Sequence, residues 1–472
     1  MRILSVFAGN HDSSATILND GEIELHLPVE RITRKKHDWN LGEVLEYLHR
    51  ANNIVFDVIL VNLLYPEDWE CKEHLIELFN SEFECKDIKF SYYEHHLYHV
   101  YCGFYYSPFN EALCFVLDGH GCLSRDKSLG EETESVYLIN DKTITKLSKR
   151  YKFEYESVGY RFETLSKKLG FDWYGAGKVM GLAQYKGYES QIDKKWLNHV
   201  DECYSLQKET EDEVIDLIRN HSEETGIKDI ILTGGYALNC VTNYKLTKIF
   251  PHLNFFVDPI CSDMGISLGQ AYEYYKGVKR PENVYIGSQS NYKDVGQLKR
   301  TTYDEVGQLL AEGNVIAIFQ GRSEMGYRAL GNRSILLDPR MPNGRDYLNS
   351  IKGRENFRPF AGTVLKEHAS EWFDIEESQY MQYAVKVKKD GIPAMIHVDN
   401  TCRVQTLTKS QNYHYYNLIN SFYKKTGIPM VLNTSLNCAG ESIAESVQHA
   451  IDSITEMKIK YLFLPEKMSF VS

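Results

Sequence analysis

The sequence has no long apolar run, no basic leader and no closely spaced cysteine pair. Apolar stretches such as residues 315–319 and 113–117 are far shorter than the roughly 20 residues that a membrane-spanning helix needs. Met1 is followed directly by a strand-like segment, without the apolar core and cleavage site of a signal peptide. We therefore expect a cytoplasmic chain that does not cross a membrane.

Cysteine spacing and net charge indicate the redox state of the chain and the kind of partner that it binds. The ten cysteines never form a C-x-x-C pair, and several lie in apolar segments, which indicates reduced, mostly buried thiols. Lysine and arginine number 53 against 65 aspartate and glutamate, so the formal net charge is −12. An acidic chain offers no broad positive surface to a duplex, so polymeric nucleic acid is a poor default partner.

The length of 472 residues predicts at least two domains, since one domain typically takes about 150 residues. Strand and helix patterns alternate along the chain, which is typical of the α/β class. Segment 278–292 holds Pro281 and Gly287 between helical patterns and is the best linker candidate. We therefore predict a first domain at residues 1–285 and a smaller α/β domain at residues 293–472.

The first domain contains one strand and turn pattern twice. The first copy has strands at residues 3–7, 15–18 and 22–27, with a polar Gly-Asn-His-Asp turn after the first strand. The second copy begins with a strand at residues 112–117 and returns along residues 135–139. This repetition predicts two related half-domains that face each other across a cleft.

A glycine pair follows a third strand-like segment. Gly234 and Gly235 lead from this strand toward Asn239 and a helix. A junction of this kind presents free backbone N–H groups, which predicts an anion site.

Two histidines four positions apart predict a metal site. His95 and His99 fall in a helical pattern, so both imidazoles project from one helix face. Asp118 in the second hairpin turn and Asp263 in a later turn would add two hard ligands. Mixed imidazole and carboxylate donors suit iron, manganese or zinc better than calcium. A partly exposed histidine cluster without metal is the alternative.

The first hairpin turn carries an imidazole and a carboxylate. Either His11 or Asp12 could take a proton from an acceptor hydroxyl, as general-base catalysis requires. A turn in which Asp12 only accepts backbone N–H groups is the alternative. Lys36, His37 and Asp38 form a further polar cluster that by itself decides nothing.

The second domain gathers cations beside glycine and aromatic residues. Guanidinium groups bind phosphate oxygens bidentately, so such a set in an acidic protein predicts a phosphate-binding pocket. A solvated basic face is the alternative. Residues 432–437 end a strand and carry side-chain amides that could bind a carbamoyl amide or a nucleotide. Capping of the following helix by these side chains is the alternative. The residues concerned are Arg322, Arg328, Arg333, Lys352, Arg354, Arg358, Arg403, Asn433 and Asn437.

Together these segments resemble the carbamoyltransferases of the nodulation-factor and antibiotic-tailoring type. The resemblance runs from the first strand to the last helix. Its motifs are GNHDSSA (9–15), ERITRKKHD (30–38), EHHLYHVYCGFYYSPF (94–109), GKVMGLAQY (177–185), LTGGYALN (232–239), GRSEMGYRALGNRSILLDPR (321–340), KGRENFRPFA (352–361), HVDNTCRVQT (397–406) and GIPMVLNTSLN (427–437).

The resemblance implies a duplicated N-terminal domain of the actin/Hsp70-like (ASKHA) fold, followed by a YrdC-like domain. It implies that carbamoyl phosphate and ATP form carbamoyl-adenylate in the YrdC-like domain. The carbamoyl group would then pass to a hydroxyl of a small acceptor, a sugar, natural product or hydroxymethyl nucleotide. The implied cofactors are ATP with Mg²⁺ and a divalent metal, iron(II) first and manganese or zinc next.

Matching motif positions carries roles onto this chain. The resemblance implies metal ligation by His95, His99, Asp118 and Asp263. It implies acceptor-side catalysis by His11, with Asp12 and Lys36 beside it. Adenylate binding falls to Gly234, Gly235 and Asn239, and binding of carbamoyl phosphate and ATP falls to Arg322, Arg328, Lys352, Arg354, Arg358, Arg403, Asn433 and Asn437.

Two positions depart from the family pattern. Tyr327 stands where proline is usual, and residues 378–381 read Ser-Gln-Tyr-Met where Ser-Pro-Phe-Met is usual. Both changes lie in the second domain's predicted pocket for carbamoyl phosphate and ATP. The sequence leaves open which acceptor the enzyme uses and whether the chain forms a homodimer. Carbamoyl-type modification of a nucleic-acid base remains an alternative that the net charge opposes. A non-catalytic nucleotide-binding module remains another, which the intact set of metal-ligand residues opposes.

Overall fold

Two compact units make up the chain, and they interleave along the sequence. The computed structural model describes residues 1–51, 55–64, 69–293 and 295–471. The expected domains were the continuous ranges 1–285 and 293–472, whereas two short segments from the first range pack with the second unit. Local composition does not reveal packing partners. The first unit comprises Met1–Gly177, Leu206–Asn239 and Lys245–Ile286, and the second unit comprises Lys178–Ser205, Cys240–Tyr244 and Gly287–Ser472.

The first unit contains a sheet built around its N-terminal strand. The central residues of that strand are completely buried, as its run of apolar side chains requires. The sheet consists of β1 (Arg2–Ala8), β2 (Ser14–Asn19), β3 (Glu22–Pro28), β5 (Val58–Leu63) and β7 (Ile88–Ser91), and a short pair is formed by β4 (Val55–Phe56) and β6 (Glu84–Cys85). The order is β3-β2-β1-β5-β7, antiparallel from β3 to β1 and parallel from β1 to β7.

A second sheet in this unit repeats the same pairing. It consists of β8 (Glu111–Leu117), β9 (Glu132–Asn140), β10 (Ile144–Tyr151), β11 (Asp229–Thr233) and β12 (Asn254–Val257). The order is β10-β9-β8-β11-β12, again antiparallel through the hairpins and parallel beyond the central strand. The two hairpin patterns seen in the sequence correspond to β1 to β3 and β8 to β10.

Helices connect the strands of the first unit and cover the sheets. These helices are α1 (Val29–Thr33), α2 (Leu41–Ala51), α3 (Trp69–Glu82), α4 (His95–Tyr106), α5 (Val158–Lys168), α6 (Ala176–Ala183), α8 (Val200–Thr225), α9 (Cys240–Ile249) and α10 (Ile266–Tyr275). Three of them, α6, α8 and α9, contribute residues to both units.

Close packing of α4 against α10 positions the histidines. Gly269 in α10 lies so near α4 that a Cβ atom there would come within 1.9 Å of the Tyr98 carbonyl oxygen. Only glycine permits this approach. The first residue of α4 is His95, and a turn at Asp263–Gly265 leads directly into α10. The packing therefore brings the start of α4 next to Asp263.

The second unit is a mixed sheet with helices packed on it. Apolar residues of α11 and α14, such as Leu310 and Phe422, share one buried cluster with Ile318 of the sheet. The order is β13-β21-β20-β14-β15-β19-β16-β18-β17. The strands are β13 (Leu298–Arg300), β14 (Ile316–Phe319), β15 (Arg333–Leu337), β16 (Ala361–Leu365), β17 (Ala384–Lys386), β18 (Thr401–Leu407), β19 (Met430–Ser435), β20 (Tyr461–Leu464) and β21 (Ser469–Val471), and the helices are α7 (Lys194–Leu197), α11 (Tyr303–Ala311), α12 (Gly344–Ile351), α13 (Ala369–Trp372), α14 (Tyr413–Thr426) and α15 (Val447–Glu456).

The predicted α/β class is confirmed by these sheets and helices. Within the described residues, none of the helices combines the length and apolar character that crossing a bilayer requires. The described cysteines are free thiols, and all but Cys85 are buried.

Candidate functional site

Four buried side chains meet at one point in the first unit. His95 Nε2 lies 3.4 Å from both Asp118 Oδ2 and Asp263 Oδ1. His99 Nε2 lies 3.7 and 3.6 Å from the same two oxygens. One ligand atom from each residue lies within 4.8 Å of all the others. The structure therefore brings together the four residues that the sequence proposes as metal ligands.

The donor atoms of this cluster lack hydrogen-bond partners. Among the described residues, none donates to or accepts from His95 Nε2, His99 Nε2 or Asp118 Oδ2 in hydrogen-bond geometry, although all three atoms are buried. A buried polar atom without a partner is costly, and a cation would satisfy all of them together. Two imidazole nitrogens and two carboxylate oxygens suit a divalent transition metal, so the residues present fit the implied metal.

The charges in the cluster depend on one another. Burial alone lowers the pKa of His95, but the carboxylates of Asp263 and Asp118 outweigh burial and raise it to about 10. Burial alone raises the pKa of Asp118, but the nearby imidazoles of His95 and His99 outweigh burial and hold that pKa well below its usual range. Positive charge at this point is therefore strongly favoured, as a cation site requires.

The loop of Gly234 and Gly235 holds the Asp118 carboxylate through a hydrogen bond. The Gly235 N–H donates to Asp118 Oδ1 at 3.1 Å, leaving Oδ2 toward the histidines. Gly234 has a φ of 85°, and a Cβ atom there would lie 2.4 Å from the Leu117 carbonyl oxygen. The sequence predicts that this loop offers free N–H groups to an anion, whereas the structure commits the Gly235 N–H to a side chain. Only the three-dimensional approach of β8 and β11 creates this bond.

Asn239, the third residue of the predicted adenylate loop, pairs with another amide. Asn239 Nδ2 donates to Gln207 Oε1 at 3.0 Å, and Gln207 Nε2 donates back to Asn239 Oδ1 at 3.3 Å. Both side chains are buried. This reciprocal pair ties the loop to α8.

The first hairpin turn places two imidazoles on one carboxylate. His11 Nδ1 lies 3.1 Å from Asp12 Oδ2, and His37 Nδ1 lies 3.0 Å from Asp12 Oδ1. His11 Nε2 points toward the metal cluster and lies 3.8 Å from Asp263 Oδ2. Lys36 is exposed, and the His37 side chain of the 36–38 cluster contacts Asp12. The structure thus brings His11 and Asp12 together beside the candidate metal ligands.

The pKa of His11 is raised to about 9. Burial lowers it, but the hydrogen bond to Asp12 and the negative charge of Asp263 outweigh burial. A divalent cation on Asp263 would neutralise part of that negative charge and so bring the pKa of His11 back toward neutrality. Loading of the metal site and basicity of His11 are therefore linked.

A further carboxyl, Glu163, belongs to the same centre. Its Oε1 would lie 3.0 Å from a Cβ atom added at Gly119, the residue after Asp118. Burial raises the pKa of Glu163 to about 7, with His120 and His11 opposing and Asp118 and Asp263 adding to the rise. Sequence reasoning missed this residue because nothing in the pattern of α5 distinguishes it from a surface glutamate.

A cavity of about 280 Å³ opens beside the turn that follows Asp118. The rings of His120 and Tyr160 pack edge to face at 4.5 Å, and Phe153 is 71% exposed. Glu131 Oε2 lies 3.0 Å from both His120 Nδ1 and Lys152 Nζ, so the charges here largely balance. The lining residues are Gly119, His120, Thr133, Lys152, Phe153, Glu156, Ser157 and Tyr160.

Three guanidinium groups crowd together in the second unit. Burial lowers the pKa of Arg354 well below its usual value, and the positive charges of Arg358 and Arg403 lower it further. Arg354 Nε and Arg403 Nε are buried without a hydrogen-bond partner in the described part of the chain. Glu355 offsets part of the charge, since its carboxylate lies 3.4 Å from Arg358 and 3.1 Å from Lys178. Such a cluster favours an anion.

Lys352 and Asn437 bind each other instead of pointing into open space. Lys352 Nζ donates to the carbonyl oxygens of Ser435 and Asn437 at 2.6 and 2.8 Å. Asn437 Nδ2 donates to the Cys438 and Glu441 carbonyl oxygens at 2.9 and 2.7 Å. Both residues are buried. These contacts stabilise the chain after β19.

Asn433 presents an amide oxygen with no partner among the described residues. Its Nδ2 donates to the Ala329 carbonyl oxygen at 3.1 Å and to Thr363 Oγ1 at 3.0 Å. The Thr363 hydroxyl donates to Gln405 Oε1 at 2.8 Å, so it accepts from Asn433 and fixes the orientation of that amide. Asn433 Oδ1 is therefore held as an acceptor.

The remaining arginines of the predicted phosphate-binding set differ in the contacts that they make. Arg322 Nε donates to the Gly287 carbonyl oxygen at 2.9 Å. Arg333 is fully buried over the Phe319 ring at 3.8 Å, and its guanidinium donates to backbone carbonyl oxygens such as that of Gly321. Arg328 is partly buried next to Ala329, whose carbonyl Asn433 contacts. His397, not singled out from the sequence, is buried, and its Nε2 has no hydrogen-bond partner among the residues that the structure describes.

Comparison with known proteins decides the family. A family model described as carbamoyltransferase N-terminus matches residues 50–204 and 190–272, and one described as carbamoyltransferase C-terminus matches residues 307–469. The chain is 32% identical to nodulation protein NolNO of Sinorhizobium fredii (strain NBRC 101917 / NGR234), across 93% of this chain and 76% of that protein. The chain belongs to the carbamoyltransferase family. It is therefore an enzyme, a transferase.

Another carbamoyltransferase aligns over nearly the full length of both chains. The 3'-hydroxymethylcephem-O-carbamoyltransferase of Amycolatopsis lactamdurans is 29% identical across 93% of this chain and 94% of that protein. Full-length HypF, solved in a phosphate- and nucleotide-bound form, aligns with 58% of this chain and 46% of its own at 13% identity and a TM-score of 0.39. Because this structural similarity is low, the fold is assigned from the strand pairing of this chain alone.

Proposed function

We propose that this carbamoyltransferase is an ATP-dependent O-carbamoyltransferase that forms carbamoyl-adenylate and transfers its carbamoyl group to a hydroxyl of a small acceptor. The observation that carries the proposal is the group of Arg354, Arg358 and Arg403, in which Arg358 and Arg403 lower the pKa of Arg354, and Arg354 Nε and Arg403 Nε are buried without a hydrogen-bond partner among the described residues. Carbamoyl phosphate and the phosphates of ATP are anions of the kind that such a group binds.

The proposed reaction has three steps, and the atoms balance in each. Carbamoyl phosphate first loses phosphate to water, which leaves carbamate. A carbamate oxygen then attacks the α-phosphorus of ATP, so that a new C–O–P link forms and pyrophosphate leaves with its bonding electrons. In the transfer step the acceptor hydroxyl attacks the carbonyl carbon, AMP leaves and the hydroxyl proton passes to a base. A mixed anhydride is a strongly activated acyl donor for this last step.

Donor activation belongs to the second unit in this proposal. Arg354, Arg358 and Arg403 bind phosphate oxygens, and Arg328 and Arg322 extend the same role. Asn433 Oδ1 accepts a hydrogen bond from the carbamoyl NH₂ group, because its own amide is fixed with the oxygen unpartnered among the described residues. Lys352 and Asn437 support the pocket through the contacts they make with each other and with β19.

Carbamoyl transfer belongs to the first unit. His95, His99, Asp118 and Asp263 would hold the divalent metal, which we propose to be iron(II), with manganese or zinc as substitutes; when bound, it supplies polarisation of the carbamoyl carbonyl. His11 takes the proton from the acceptor hydroxyl through Nε2, since Nδ1 is engaged with Asp12. Mg²⁺ accompanies ATP, as nucleotide phosphates require.

The fold supports this division of labour. The two sheets of the first unit share one pairing pattern, which supports a duplicated domain of the ASKHA type. We place the adenylate at the loop of Gly234, Gly235 and Asn239, with the second unit as the YrdC-like donor domain. The cavity lined by His120 and Tyr160 is our candidate for the acceptor, because it lies beside the turn of Asp118 and offers an aromatic ring with balanced charges.

Incubation of the purified protein with ATP, Mg²⁺, iron(II) and carbamoyl phosphate tests the donor half of this proposal. We expect carbamoyl-adenylate and pyrophosphate by mass spectrometry, both dependent on carbamoyl phosphate. A protein that binds metal and nucleotide yet forms neither product, with or without 3'-hydroxymethylcephem as a trial acceptor, would contradict the adenylate route. Tyr160→Ala should then lower transfer to any accepted hydroxyl compound while leaving pyrophosphate release unchanged.

A further inference from the structure

One carboxylate in the first hairpin turn is shared by two imidazoles. Asp12 is 3% exposed, and its oxygens lie 3.1 Å from His11 Nδ1 and 3.0 Å from His37 Nδ1. An ionised carboxylate only accepts hydrogen bonds, so both ring N–H groups donate to it. The Asp12 backbone N–H in turn donates to the His37 carbonyl oxygen at 3.4 Å. His37 and Asp12 therefore hold each other through two separate contacts.

His37 is itself held on two further sides. Its backbone N–H donates to Glu30 Oε2 at 3.0 Å. Its ring stacks on Tyr174 with the centroids 3.9 Å apart and the planes 15° from parallel. The Tyr174 ring also contacts His11 at 5.5 Å. The three rings and the Asp12 carboxylate thus form one packed group.

Backbone strain marks the same two positions. Asp12 and His37 have φ values of 49° and 58°, in the left-handed region that residues with a Cβ atom rarely occupy. Such strain persists only where the surrounding contacts enforce it, and it is concentrated at functional sites. A turn that needed only to reverse the chain would be satisfied by glycine at these positions.

We infer that His37 is a positioning residue for carbamoyl transfer, which fixes Asp12 so that Asp12 holds the His11 ring with Nε2 toward Asp263. This inference rests on the proposed function and adds to it a residue for which the resemblance gives no role. Without His37, Asp12 loses the ring nitrogen that lies 3.0 and 3.1 Å from its two oxygens, so the orientation of the carboxylate about χ2 is less restricted. The His11 ring then loses its fixed direction toward Asp263, while the contacts among the four candidate metal ligands and within the second unit stay in place.

Three substitutions of His37 separate this role from general support of the fold. His37→Ala removes the donor to Asp12. His37→Asn restores it, because the asparagine amide nitrogen occupies the place of Nδ1. His37→Gln carries its amide at the place of Nε2 and does not restore it. Tyr174→Phe is a further comparison, since it keeps the stacked ring and removes only the hydroxyl.

The experiment measures both half-reactions and the metal content of each variant. Pyrophosphate release dependent on carbamoyl phosphate reports the first step. Consumption of carbamoyl-adenylate reports the second, with 3'-hydroxymethylcephem as the acceptor probe and water as the acceptor in its absence. We expect His37→Ala and His37→Gln to lower kcat of the second step about 10- to 100-fold, in the range of other orienting contacts, with KM unchanged. His37→Asn should recover most of kcat.

The outcomes distinguish this inference from the proposed function. Equal second-step rates in wild type and His37→Ala, or equal losses in the alanine and asparagine variants, would overturn the positioning role alone. A wild-type protein that forms no carbamoyl-adenylate would overturn the proposed function and this inference with it. A crystal structure of His37→Ala gives a readout without turnover, because we expect the His11 ring to leave its direction toward Asp263. An unmoved His11 ring would count against us.

Discussion

The backbone N–H of Gly235 donates to Oδ1 of Asp118, while Oδ2 of the same carboxylate faces His95 and His99. A loop after β11 thereby orients a side chain that follows β8. Outer contacts of this kind fix the direction of metal-binding side chains and raise metal affinity. The glycine pair therefore serves the candidate metal site, in addition to the adenylate-binding role that we propose for it.

Gly234→Ala should destabilise the protein and displace Asp118. The new Cβ atom would lie 2.4 Å from the Leu117 carbonyl oxygen at a φ of 85°, so strain and overlap act together. We expect at least about 3 kcal/mol of lost stability and reduced metal content. Gly226→Ala is the control, because its φ is 72° but no atom lies within 4 Å of the new Cβ. Thermal unfolding of both variants checks this, and equal losses would refute the overlap argument.

Asp263→Asn should abolish metal binding. The amide keeps the shape of the side chain but removes one of two anionic ligands at the cluster. Asp258→Asn is the matched control, since Asp258 is equally buried nearby but binds Thr233 and the Ile260 N–H. We expect about one metal ion per chain in the control and near none in Asp263→Asn, measured by elemental analysis. Metal retained in both variants would exclude this cluster as the site.

Arg358→Ala and His11→Ala should separate the two half-reactions. We expect Arg358→Ala to lower carbamoyl-adenylate formation at least 100-fold, because a charge-assisted contact to the donor is lost. His11→Ala should leave that step intact and abolish transfer. Arg300→Ala, at an exposed position of β13, controls for loss of positive charge. The assay is mass detection of carbamoyl-adenylate and of the carbamoylated acceptor, and equal loss of the first step in both site variants would contradict the division into two sites.

Glu134→Gln should change how stability depends on pH. Burial raises the pKa of Glu134 from 4.5 to about 7 in the folded protein. A raised carboxyl pKa means that the native state prefers the protonated form, so this contribution to stability is present below pH 4.5 and is lost as pH rises through 7. The loss approaches about 3 kcal/mol. Thermal unfolding between pH 5 and pH 8 should therefore show a smaller decline in Glu134→Gln than in wild type, whereas exposed Glu223→Gln should follow wild type.

Lys352→Met should act first on stability. Its ammonium group donates to the carbonyl oxygens of Ser435 and Asn437 inside the second unit, and methionine would remove both hydrogen bonds. The Ser435 carbonyl oxygen would keep the Asn437 N–H as a donor, and the Asn437 carbonyl oxygen would lose the donor that Lys352 supplies. Unpaired buried acceptors cost about 1–3 kcal/mol each. Lys366→Met, which breaks only an exposed pair with Glu377, should cost less than about 1 kcal/mol. Denaturant unfolding of both proteins gives the comparison, and similar midpoints would contradict a stabilising role for Lys352.

Sequence patterns located much of the fold because local rules govern those parts. The predicted strands at residues 3–7, 15–18 and 112–117 lie within β1, β2 and β8, since apolar runs of this length fit buried strands. The helical pattern predicted around His95 and His99 lies within α4, where α-helical periodicity puts both residues on one face. No local sequence pattern predicts that segments of the two units interleave along the chain.

The sequence by itself determined which residue types were available to a metal and to phosphate groups, because spacing along one helix and cation content are one-dimensional properties. Only the tertiary structure decided their partners. It placed His37 on Asp12, directed the Gly235 N–H to Asp118, and enclosed Lys352 among carbonyl oxygens. Each of these contacts joins residues at least 25 positions apart, and no local pattern encodes the approach of such distant segments.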